Sequence, residues 1–141
     1  MKWEDCTKQK VKKIEPNKER AKSMRDLAQK RLESIKRRRT TDDPEFIIED
    51  YYEAAKELIT ALLFIKGYKS YSHECLITFL KEFYPEYGEA DRSLIEQLRQ
   101  IRNDLLYRGE PVASEFLNRR EKDITGVINK LVKNIQNEIP A

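Results

Sequence analysis

Gln97-Leu98-Arg99-Gln100-Ile101-Arg102-Asn103-Asp104-Leu105-Leu106-Tyr107-Arg108-Gly109 decides how the chain is to be folded. Leu98, Ile101, Leu105 and Leu106 recur at helical spacing, so the stretch reads as a helix with one buried stripe. Arg102, Asn103 and Tyr107 lie at the edge of that stripe. Asn103 and Tyr107 are four residues apart and face the same way, with Arg102 one step round the helix. Gly109 is expected to cap the helix, and Pro111 lies just beyond it. Polar groups this close to a packing face need partners, because an unpaired one costs free energy there.

Working outward, the same periodicity recurs on both sides. Asp91 is expected to cap the quoted helix, and Ser114 to cap a last helix running to about Asn137 on a stripe of Leu117, Ile124, Val127, Ile128, Leu131 and Ile135. Upstream, Ser70 or Ser72 opens a shorter helix carrying Leu76, Ile77, Phe79, Leu80 and Phe83, which breaks at Pro85. Asp43-Pro44 starts a helix that ends at Gly67 and is apolar over more than half its circumference, so it belongs at the centre of a bundle. Its acidic residues Glu49, Asp50 and Glu53 are adequately explained by solvation. Pro16 begins a basic helix with Ala21, Met24, Ala28, Leu32 and Ile35 inward, ending in Lys36-Arg37-Arg38-Arg39; Thr40 to Pro44 then turns the chain. Residues 1–15 read as a polar arm or a short helix, and no strand pattern stands out. The expectation is an all-α antiparallel bundle of four main helices plus the basic N-terminal one, in a single domain over 16–141.

Composition narrows the function. At 141 residues there is room for one core. Charged residues make up 38% of the chain and mean hydropathy is −0.80, and the longest apolar run, Leu58 to Ile65, is too short to span a bilayer. No membrane association and a cytoplasmic location are the expectation. Cys6 and Cys75 are too few for a disulfide framework and lack metal-ligand spacing, so both are expected reduced, with no metal and no cofactor. The net charge of +3 hides a basic first third and an acidic remainder, a polarity that serves either an RNA partner or the bundle's own cohesion. The aromatic run Phe83-Tyr84-Pro85-Glu86-Tyr87-Gly88 suits base stacking or the covering of a bundle end.

An Arg followed by Asn or Asp, and then by His after four to six intervening residues, is the signature of the HEPN (higher eukaryotes and prokaryotes nucleotide-binding) superfamily. Arg102-Asn103-Asp104-Leu105-Leu106-Tyr107 resembles it, with Tyr107 in the place of the His, as in archaeal-type HEPN-like variants. Ser72-His73-Glu74-Cys75-Leu76, opening the preceding helix, is also similar to that family. The resemblance implies a helical bundle that pairs as a homodimer so that two motifs share one cleft. In the family's ribonucleases, cleavage is metal-independent: the RNA 2′-hydroxyl attacks the adjacent phosphate, the Arg stabilises charge, and the His moves the proton. Carried over, Arg102 binds phosphate and Asn103 orients it or binds a phosphate oxygen.

Tyr107 departs from this pattern. A phenol with a pKa near 10 is a poor base at neutral pH, and His73, the only imidazole, is the candidate to compensate. Arg99, Arg108, Lys36, Arg37, Arg38 and Arg39 join Arg102 and Asn103 as candidate nucleotide or RNA contacts. Three readings follow. One is a nucleotide- or RNA-associated module, weakly catalytic or inert, that pairs with a nucleotidyltransferase-type protein in a toxin–antitoxin-type system. The second is a toxin-type ribonuclease using Arg102, Tyr107 and His73. The third is a structural dimer in which Arg102 and Asn103 form a buried polar network.

Overall fold

A computed structural model describes residues 1–38, 43–108 and 110–139, apart from the side chains of residues 106, 108, 110 and 111. The elements in chain order are α1 (Trp3–Gln9), β1 (Val11–Lys13), α2 (Lys18–Arg38), α3 (Pro44–Lys66), β2 (Tyr68–Ser70), α4 (His73–Phe83), α5 (Glu89–Arg108) and α6 (Glu110–Glu138). The all-α bundle expected from the apolar stripes is present, with one small addition at its side.

Helix α3 is the axis. It packs against α2, α4, α5, α6 and β2, and Ala54, Ala55, Leu58, Ile59, Ala61, Leu62 and Leu63 are all buried on it. Cross-links set the directions of its neighbours. Arg31 bonds Glu57 and Arg38 bonds Asp50, so α2 runs antiparallel to α3. Arg102 on α5 meets Glu53, and Lys66 at the end of α3 lies over the Tyr84 ring that precedes α5, so α5 is antiparallel as well. Tyr51 donates to Glu121, and Lys66 pairs with Glu138 at 3.6 Å, so α6 runs parallel to α3.

Gly67 ends α3 in the left-handed region, φ 88°, with its N–H directed at the Leu63 and Phe64 carbonyls. A Cβ there would also lie 2.7 Å from the Ile14 carbonyl oxygen, so glycine is required twice over.

Several boundaries differ from the expectations. Residues 1–15 are no loose arm: α1 places Trp3 against Tyr68, Phe79 and Phe83, with ring centroids 5.1–5.7 Å apart. β1 and β2 pair antiparallel, Val11 opposite Ser70 and Lys13 opposite Tyr68. Cys6 and Cys75 are not reduced but form a disulfide, Cα–Cα 5.8 Å, both fully buried. The docking of α1 on α4 brings these two residues together, and nothing in their spacing of 69 residues shows that.

Asp91 does not cap α5; the helix begins at Glu89, and Asp91 accepts from Lys130 at 2.7 Å. Ser114 lies inside α6, which begins at Glu110. The aromatic run covers the bundle end: Tyr84 and Tyr87 are buried, donating to Glu138 and Asn134, and burial pushes both phenols well above the usual range. The Gly109 cap and the turn at 40–42 lie outside the described residues.

Candidate functional site

The only imidazole of the chain and the motif arginine both contact one phenol side chain. Tyr52 is buried on α3, four residues before Lys56 and one before Glu53. The Arg102 guanidinium stacks over its ring, 5.1 Å from the centroid, and Nη2 donates to Glu53 at 3.2 Å. The Tyr52 hydroxyl lies 2.8 Å from His73 Nδ1 at the start of α4. His73 Nε2 is 2.8 Å from Glu96 on α5, and Glu96 in turn accepts from Arg99 at 3.3 Å. Three helices therefore supply one chain of polar contacts, Glu53–Arg102, Tyr52–His73 and Glu96–Arg99.

Chemistry assigns the hydrogens. An ionised carboxylate only accepts, so His73 Nε2 carries the proton and Tyr52 donates to the bare Nδ1. The neutral ring is the favoured form. Burial of a side chain only 10% exposed lowers the His73 pKa below its ordinary value, Glu96 opposes that, and Arg99 and Lys56 add to it. Burial also raises the Tyr52 pKa, against the pull of Arg102 and Arg99. The phenol therefore stays protonated and the imidazole neutral near pH 7.

The residues expected at the site fall into separate groups. Arg102, His73 and Arg99 are gathered in this chain of contacts. Asn103 is exposed, and Tyr107 is 87% exposed with no hydrogen bond to Arg102 or His73 among the described residues. Lys36 and Arg37 are exposed at the end of α2, whereas Arg38 is held by Asp50 and by the Ser34 carbonyl at 3.4 Å. Arg39 and the side chain of Arg108 lie outside the described residues.

Two groups escaped the sequence reading. Tyr52 was hidden among the apolar residues of its helix. Glu53 and Asp50 were assigned to solvation, yet they bond Arg102 and Arg31 respectively. Their i, i+3 spacing on the acidic edge was the one available signal. Among the described residues no group of three His, Cys, Asp or Glu is placed to hold a metal ion, and no helix is long and apolar enough to cross a membrane.

Comparison with known proteins agrees with the helical architecture. The family model described as the HEPN domain matches residues 21–137, from the first inward residue of α2 to the last turn of α6. Neither a curated protein nor a solved structure matches the chain.

Proposed function

The chain belongs to the HEPN domain family, and from that premise we propose that it is a nucleotide- or RNA-associated binding module with little or no catalysis of its own. The observation that carries this reading is the contrast between Arg102 and His73. Arg102 is a third exposed at the bundle surface and is held by a single part-exposed carboxylate. A phosphate oxygen can take the place of Glu53 as the acceptor and receive a charge-assisted bond. His73, by contrast, has both ring nitrogens engaged, one by Tyr52 and one by Glu96. It has no free nitrogen to take a proton from a ribose hydroxyl. Tyr107 is hydrogen-bonded to neither Arg102 nor His73 among the described residues, and losing a proton-transfer group typically lowers a rate by 10²–10⁴-fold.

Lys36 and Arg37 extend the cationic surface. α2 and α5 both run antiparallel to α3, so the end of α2 and Tyr107 share one end of the bundle. A strand crossing that end meets the basic residues and the exposed Asn103 in one path. Pairing of two copies through the Arg102 face doubles this path, and a nucleotidyltransferase-type protein in a toxin–antitoxin-type system is the protein partner that the reading accommodates.

One observation favours a second reading, a metal-independent endoribonuclease. Arg102 and the sole imidazole contact the same Tyr52 side chain, so a repositioned Glu96 would release His73 beside the phosphate-binding group.

Labelled RNA incubated with the protein separates the two. The binding module retains RNA without cutting it, Arg102→Ala lowers retention about tenfold or more, and Glu53→Gln raises it by freeing the guanidinium. Cleavage that Arg102→Ala abolishes and a 2′-deoxy substrate resists would establish the nuclease. RNA retention unchanged by Arg102→Ala would remove both.

A further inference from the structure

His73 stands at the start of α4, where the N-terminal corner of the molecule is fastened. Residues 1–13 form a strap, α1 followed by β1, that lies before the first residue matched by the family model. The strap ties down the segment around His73 three times. The Lys10 carbonyl accepts from the Tyr71 N–H at 2.8 Å, Lys10 Nζ pairs with Glu74 at 3.5 Å, and Cys6 is bonded to Cys75. These ties fall two residues before the imidazole, one after it and two after it.

The first turn of α4 depends on such ties. Ser72 is its N-cap residue, yet the Ser72 hydroxyl makes no cap bond, and a helix of 11 residues is marginal by itself. Two of the three ties are weak. The Lys10–Glu74 pair is largely exposed and contributes little, and one backbone hydrogen bond has a small net effect. The covalent tie is the strong one, and it alone responds to thiols.

The strap itself is built to move. α1 has seven residues, too few for a stable helix alone, and is seated on α4 by Trp3 and Cys6. Cys6, Val11 and Cys75 make a small buried cluster of their own beside the main core. The hinge behind them is fixed without the sulfurs. Ile14 donates to the Gly67 carbonyl at 2.8 Å, and Asn17 to that of Phe64 at 2.9 Å. A strap that opens on an anchored hinge stays beside its seat and can close again.

We propose that the Cys6–Cys75 bond is a redox latch on His73: when it is reduced, the strap lifts and the first turn of α4 releases the imidazole from Tyr52 and Glu96. The reductant is a dithiol. One of its thiolates attacks a sulfur of the bridge, giving a mixed disulfide and one cysteine thiolate. Its second thiolate displaces the other cysteine, and the dithiol leaves as its own disulfide. Two electrons and two protons pass to Cys6 and Cys75, which end as thiols. Both cysteines are fully buried with the strap closed, so attack requires the strap to open briefly. Oxidised glutathione reverses the step. The latch is read from His73 alone, whereas its bearing on RNA rests on the function proposed above.

Diethyl pyrocarbonate tests it, because this reagent acylates a free imidazole nitrogen with a characteristic ultraviolet signal and His73 is the only histidine. In the oxidised full chain both nitrogens are engaged and the reaction should be slow. After dithiothreitol treatment and removal of the reagent under inert gas, the rate should rise about tenfold or more, because losing the cross-link favours local opening. Cys6→Ala should match the reduced chain and ignore dithiothreitol. Proton NMR of the imidazole should show its pKa move up on reduction, as the burial that lowers it against the pull of Glu96 is relieved. Oxidised glutathione should restore the slow rate. A rate unchanged by reduction, or one that reoxidation does not restore, overturns the proposal. So does loss of slow hydrogen exchange in the middle of α3 on reduction, since the bridge would then be a staple of the whole fold. RNA retention and cleavage are measured separately, so the latch and the function proposed above can each fail without the other.

Discussion

His73 is where acid acts on the fold. Every charged group facing it has a stated direction: Glu96 favours its proton, while Arg99, Lys56 and burial oppose it, and the Tyr52 hydroxyl is donated to Nδ1. The net effect is a folded-state pKa below the unfolded one, so the unfolded chain binds more protons as the solution is acidified. The stability involved is fully present above the unfolded pKa of about 6.5 and is lost as pH falls through that value towards the depressed one. The urea midpoint of the wild type should therefore drop between about pH 7.5 and pH 5.5. His73→Gln, which still accepts from Tyr52 and donates to Glu96 but takes no proton, should drop less. Equal drops would show that the ring does not carry this dependence.

Arg102 itself was legible in the sequence because a charged residue beside a helical stripe must find a partner. The partner was not, since Glu53 lies 49 positions upstream and helical periodicity assigns a residue to a face without saying which helix meets it.

At the scale of elements, the long helices were readable because α2, α3, α4 and α6 each repeat apolar residues over several turns. β1 and β2 have three residues apiece, too few for an alternating pattern to show. Their pairing depends on long-range contacts: Ile14 donates to the Gly67 carbonyl and Tyr71 to that of Lys10, both at 2.8 Å. The Cys6–Cys75 bond secures the same corner, with α1 held on α4 by Trp3 as well. Reduction, or Cys6→Ser, is expected to lower stability by roughly 2–4 kcal/mol, as is typical for a bridge closing a long loop. Hydrogen exchange should quicken across residues 3–13 and 68–75 and stay slow in the middle of α3. A uniform rise across α3 would mean instead that the corner and the bundle unfold together.

Across the whole molecule, charge is divided by position. Two arginines of α2 are matched to α3, Arg31 to Glu57 and Asp50, and Arg38 to Asp50. This explains why the acidic remainder of the chain holds its basic helix so closely. Lys36 and Arg37 remain exposed. Changing both to Gln should weaken RNA retention and reduce the slope of log affinity against log salt by about 1–2, because each neutralised phosphate releases close to one counterion. An unchanged slope would mean that the two side chains are only solvated. Their exposure could not be read from the run Lys36 to Arg39, since four adjacent cations look alike until the carboxylate that claims Arg38 is in view.

The bond between residues 6 and 75 also makes the first half of the chain a closed ring, enclosing α2, α3 and both strands. A peptide bond cut anywhere inside that ring leaves a single covalent molecule until a thiol opens it. Tension applied at the N-terminus passes through the sulfurs directly to α4, so the central helix pair is bypassed and is the last part of the first half to feel the pull.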